Sequence, residues 1–135
     1  MQSIDGVIEE ILDYQVDGII TASVSMSSNL TKRCTSAGIP MVLFNRSQDV
    51  SKMSSVTSDN IKGGKKIAHF LLSLGHRKIG YIAGWEGAST QRDREKGFIS
   101  GLSHYGTKLY KRKVGNFVMD EAKEATRKMF YKNPP

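Results

Sequence analysis

Two hydrophobic periods alternate along this chain. Val7, Ile8, Ile11 and Leu12 recur at helical spacing, and Ser3 stands where such a helix takes its N-cap. The run VDGII then reads as a strand, followed by a Ser-rich polar loop from Ala22 to Ser28. Leu30, Cys34 and Ala37 share one side of a short second helix that ends at Gly38. Pro40 admits Met41 to Phe44, apolar throughout, which predicts a central parallel strand. Asn45 to Lys52 reads as a loop and Ser54 to Ser58 as a short extended segment. Asp59 is placed to cap the longest helix, about residues 60 to 74, with Ile61, Ala68, Leu71 and Leu72 facing inward. Gly63 and Gly64 inside its opening turns cost about 1 kcal/mol each against Ala. A close backbone or ligand would explain them, and so would a frayed helix start.

The stretch Gly75 to Phe98 organises the rest. Gly75 suits a helix C′ position, and Ile79 to Ala83 suits a strand covered on both faces. Gly84, Gly87 and Ala88 allow a tight turn, and Thr90 with Asp93 three residues on resembles a capping box. Phe98, Leu102 and Tyr105 continue a helical stripe. Val114 to Phe117 reads as a further strand, and Asp120 as the cap of a helix with Ala122, Ala125, Met129 and Phe130 inward, stopped by Pro134 and Pro135. Alternating strands and helices with short connections predict an α/β fold of right-handed parallel βαβ units. Such sheets bind ligands at the carboxyl ends of their strands.

Composition narrows the class. At 135 residues, 39% hydrophobic and 24% charged, the chain has the profile of one globular domain. No apolar run approaches the roughly 20 residues that span a bilayer, and MQSIDGVIEE has no basic n-region of a signal peptide. Cys34 is the single cysteine, which excludes an intrachain disulfide and suits a cytoplasmic location. The formal charge of +7 is spread over several helices, and its densest group, Lys108 to Lys113, reads as a loop. That pattern favours a solvated surface over a nucleic-acid site. His69, His76 and His104 lack metal-ligand spacing, and neither a nucleophile–base pair nor a phosphate-cradling glycine motif is present. No catalytic residue, metal or cofactor is therefore expected.

The candidate chemistry is polar binding. Asn45 and Arg46 directly follow a strand and offer an amide and a forked cation to hydroxyls or a carboxylate, or else form a solvated turn. Thr90 and Arg94 lie at a helix start beyond the next strand. Arg94 shares its helix face with Phe98, so the spacing puts it on the buried side in need of an acceptor; the bland alternative is pairing with Asp93 or Glu95. Arg92 points elsewhere, to a structural or solvent role. Asp59 reads as an N-cap, which alone explains an Asp at this position. Trp85 and Phe117 are the aromatic candidates for packing on a sugar ring or the plane of a base, with surface packing the plainer fate of Trp85.

From about Val16 to Phe117 the chain resembles the effector-binding domain of the lactose-repressor/galactose-repressor family of bacterial regulators. The resemblance rests on VDGII, AGIPMVLFNR, VTSDNIKGGKKIAHFLLSLGH, GHRKIGYIAG and EGASTQRDREKGF, with Arg92, Arg94, Gly97 and Phe98 in register. It implies a two-lobed, periplasmic-binding-protein-like type I domain that closes on a small molecule, with the lobe boundary near Thr57 to Asn60: residues 1–57 in one partial lobe and 58–135 in the other. By the same resemblance Asn45, Arg46, Asp59, Thr90, Arg94 and Phe117 contact an effector, a sugar or related compound. DNA would be bound only through a helix-turn-helix headpiece that this sequence does not contain. The alternative is a periplasmic-type solute-binding module. The sequence opens on a helix with no strand before it and stops after a helix, so the fold is expected to be incomplete at both ends and the chain to associate as a homodimer.

Overall fold

The computed structural model describes residues 4–23, 27–47 and 53–131. They belong to two compact units, Met1–Ser58 and Asp59–Pro135. The Ser3 cap, the middle of the Ser-rich loop, residues 48–52 and the final prolines lie outside the described residues.

In the first unit, β1 (Ile19–Ala22), β2 (Met41–Phe44) and β3 (Ser54–Val56) form a parallel sheet in the order β1-β2-β3. Ile19 pairs with Met41, and Phe44 with Val56. The all-apolar β2 is central and parallel, as its composition predicts. Helices α1 (Ile4–Asp13) and α2 (Ser28–Ser36) precede β1 and β2. Ile19, Cys34, Met41 and Leu43 are buried together, with Ile11, Leu12, Val16, Ile39 and Met53 packed around them. Burial alternates along β1 and β2, leaving Ile20 77% and Phe44 54% exposed. Among the described residues, then, one face of this sheet is covered and the other is bare. Ala37, expected inside, is exposed, because α2 ends at Ser36 and the chain turns through Gly38 at φ 69°.

The second unit contains β4 (Gly80–Ala83) and β5 (Lys111–Val114), paired in parallel, with α3 (Asn60–Ser73), α4 (Ser89–His104) and α5 (Met119–Phe130). Ala68, Leu72, Ile79, Phe98 and Leu102 form its core with Leu71, Tyr81 and Leu109. On the opposite face Gly80 lies against Met129 and Phe130 of α5. The close packing of α3 on α4 runs through Gly64, Gly97 and Gly101. A Cβ at Gly64 would collide with the Arg94 carbonyl and sit 2.7 Å from the Phe98 nitrogen, while one at Gly97 would strike the Ile61 backbone. Gly64 thus has the close backbone that its cost in a helix calls for. Gly63 faces open space.

Several sequence expectations change here. The last strand is Lys111–Val114, not Val114–Phe117, so half of the lysine-rich loop is strand. Tyr81 and Arg112 are paired in the ladder, and the backbone pairing outweighs the low β-propensity of KRKV. Neither predicted cap on α4 or α5 forms: Ala88 and Val118 hold the N-cap positions without side-chain bonds, and Thr90 and Asp120 lie inside the helices. α4, with 16 residues, exceeds the 14 of α3. Ile82 is 37% exposed, so β4 is less covered than its apolar run suggests. Asp59 does cap α3, accepting from the Lys62 amide at 2.9 Å, and Gly75 takes φ 87° beyond its end.

Candidate functional site

The candidates gather beyond the carboxyl ends of strands, where parallel βα units leave their loops. Left-handed backbone marks the same places. Of the five described non-glycine residues at positive φ, four follow strands: Ser23 after β1, Asn45 after β2, and Asn116 and Phe117 after β5. Left-handed backbone costs most residues about 1 kcal/mol or more, though asparagine adopts it readily, so strain of the kind that concentrates at functional sites falls on Ser23 and Phe117.

In the first unit, the Asn45 backbone amide donates to the Val56 carbonyl at 2.8 Å, extending the ladder past β2. Its side-chain amide donates to Ser23 Oγ at 3.1 Å, and Arg46 Nε donates to the Ser23 carbonyl at 3.2 Å. Both residues are half-buried. The ends of β1 and β2 are therefore joined by side chains that also carry amide and guanidinium donors.

In the second unit, the glycine contacts bring the amino ends of α3 and α4 side by side. Asn60, the first residue of α3, is buried, and its Oδ1 accepts from Arg94 Nε at 2.8 Å. This corrects the expectation for Arg94. The α4 backbone abuts Gly64, so the side chain runs outward along Asn60; Arg94 is exposed overall and its Nε has an acceptor within the fold. Thr90, one turn earlier, is 4% exposed. Two helix amino ends with an arginine beside them bring backbone and guanidinium donors together. Asp59, exposed at the start of α3, supplies an acceptor there.

Phe117 lies across Gly84 at the end of β4, where any Cβ would overlap its ring. The ring is 60% exposed and presents an apolar surface at the strand ends. Trp85 folds back over Gly87 instead, 48% exposed. Arg92 donates to the Gly87 carbonyl at 3.0 Å, a structural tie within the loop.

Sequence reasoning missed a polar network behind this loop. Gln91 is buried; its Oε1 accepts from the Gly84 amide at 2.9 Å, and its Nε2 donates to Glu95 at 3.1 Å and Tyr81 Oη at 3.2 Å. Arg112 binds both Glu95 carboxylate oxygens and Glu86 Oε1, the latter at 2.6 Å. The Arg112 guanidinium holds the Glu95 carboxyl below the usual carboxylate range, and burial pushes the Tyr81 hydroxyl up. The i, i+4 spacing of Gln91 and Glu95 was the available signal. Their partner Arg112 lies in a lysine-rich run that reads as a loop from its composition and becomes strand only through pairing with β4.

Parallel βα units with left-handed strand ends and polar groups beyond them place both units in the α/β class. The chain belongs to the periplasmic binding protein domain family, whose model matches residues 5–134. It is 29% identical to the HTH-type transcriptional regulator DegA of Bacillus subtilis over 126 residues, covering 90% of this chain and 37% of that protein. Against the ribose import binding protein RbsB of the same organism, identity is 32% over 96 residues, 67% of this chain and 32% of that protein. The solved transcriptional regulator CelR–cellobiose complex superimposes with a TM-score of 0.75 at 29% identity, over 88% of this chain and 39% of that one. The chain spans under two-fifths of the length of these relatives. The resemblance to the effector domain of the lactose-repressor/galactose-repressor family, and the periplasmic-binding-protein-like fold it implies, are borne out.

Proposed function

We propose that this chain is the effector-sensing portion of a cytoplasmic DNA-binding transcription regulator, and that its effector is a sugar or sugar derivative. The observation that carries this reading is the coincidence of left-handed, non-glycine strand ends with polar and aromatic candidates at Asn45 and Phe117. Arg94, Thr90 and Asp59 offer donors and acceptors for hydroxyls, Phe117 offers a face for the C–H side of a ring, and Asn45 and Arg46 are the counterparts in the first unit. Cellobiose in the CelR complex and ribose in the name of RbsB support the choice of ligand class. On this reading units 1–57 and 58–135 are partial lobes, the effector shifts a population between two states, and operator contact belongs to a headpiece outside this sequence. The bare face of the first sheet supports association as a homodimer.

The test is a thermal-shift and calorimetric screen of sugars that includes D-ribose and cellobiose. A charge-assisted hydrogen bond contributes about 1.5–3 kcal/mol, so Arg94→Ala is expected to weaken the best hit about ten- to a hundred-fold. Unchanged affinity removes Arg94 from the site.

The similarity to RbsB favours one second reading, a solute-binding module of a transport system. The two separate on the genomic sequence ahead of the codon for Met1: an in-frame helix-turn-helix supports the regulator, and a secretion signal supports the transport module.

A further inference from the structure

The network around Gln91 ties three segments that carry the candidate wall. Gln91 and Glu95 lie on α4, whose first turns hold Thr90 and Arg94. The Gly84 amide opens the loop after β4, and Glu86 sits within that loop. Arg112 lies on β5, five residues ahead of Phe117. One side-chain chain thus runs from β5 through Glu95 and Gln91 to the end of β4, while a second arm of Arg112 holds Glu86. The Glu95 side chain is 15% exposed and that of Arg112 35%, so the central ion pair is shielded and forked, the geometry in which arginine–carboxylate pairs are strongest. The Glu86 arm, with the carboxylate side chain 61% exposed, is the weaker one.

None of these residues need touch a ligand for the network to matter. Gln91 satisfies a buried backbone donor that the β4–β5 ladder leaves over, and this fixes where the loop departs from the sheet. Arg112 then sets the distance between that loop and the strand leading to Phe117. We propose that Gln91, Glu95 and Arg112 are positioning residues for the effector site, holding loop 84–88 and the first turn of α4 in register with the Phe117 segment. This rests on the effector-binding reading above.

Amide hydrogen exchange on the full chain, read with and without D-ribose or cellobiose, tests it. Arg112→Gln is expected to speed exchange at residues 84–91 about tenfold while Ala68, Leu72 and Leu102 keep their rates. It is also expected to weaken sugar binding several-fold. Arg112→Lys, which keeps the charge but not the fork, is expected to fall between Arg112→Gln and the unsubstituted chain. Should Arg112→Gln fail to fold, Gln91→Met serves as the second variant, with the same local effect expected at Gly84 and its neighbours. Unchanged exchange at 84–91, or equal acceleration across the whole second unit, overturns the positioning role. If the unsubstituted chain binds no sugar, the effector reading itself fails and the site role falls with it, whatever the exchange shows.

Discussion

The two units bury their sheets differently. In the second, helices lie on both faces of β4 and β5, and α3 meets α4 nearly backbone to backbone through Gly64, Gly97 and Gly101. In the first, the described helices cover one face only, and Ile20, Phe44 and Val56 stand out from the other. Both sheets are parallel, and parallel strands are ordinarily covered on both sides. A parallel strand order alone therefore does not guarantee a closed core. The second unit holds its candidate residues on a dense, glycine-tightened scaffold, whereas the first holds Asn45 and Arg46 on a sheet whose apolar face seeks cover.

The largest expected effect strikes that tight scaffold. Gly97→Ala drives a Cβ into the Ile61 backbone, and overpacking that only backbone movement can relieve should cost about 3 kcal/mol in urea unfolding. The same substitution at Gly63, which faces open space, is the control and should stabilise by about 0.5–1 kcal/mol through helix propensity. Equal effects at the two positions would break the account of α3 against α4.

A smaller effect comes from the charged network of the second unit. The hydrogen bond and charge of Arg112 hold the Glu95 pKa below its ordinary value of 4.5. Its contribution is thus fully present above that value and is lost as pH falls through the lowered, folded-state pKa. Acid unfolding should therefore lose roughly 1 kcal/mol through this pair, and Glu95→Gln should flatten that part of the profile. An unaltered acid limb in the variant would show that the pair contributes nothing measurable.

The smallest effect on stability is expected on the bare face of the first sheet. Ile20→Lys with Phe44→Lys changes exposed positions and should leave the unfolding free energy within about 0.5 kcal/mol. Light scattering at micromolar concentration should nonetheless show less association than for the unsubstituted chain. Identical scattering would mean that this face does not drive self-association.

Period and punctuation settled much of the fold in advance. The apolar run Met41–Phe44 became the central parallel strand, Asp59 capped α3, and Gly75 took a left-handed conformation at its end. These are local matters: side-chain spacing, an oxygen within reach of the next turn, a missing Cβ. Other features depended on partners distant in sequence. Lys111–Val114 looks like a polar loop and becomes a strand because β4 offers it a ladder. Gly64 gains its meaning only from Arg94 and Phe98 packed against it, and Arg94 Nε finds an acceptor within the fold only because Asn60 lies 2.8 Å away. Phe117 at φ 61° gave no sign of strain in the residue letters, since nothing but the tertiary fold lays its ring across Gly84. Local chemistry was legible because a few neighbouring residues contain it. The network of Gln91, Glu95 and Arg112 was not, because its energy resides in contacts that form only when distant elements are brought together.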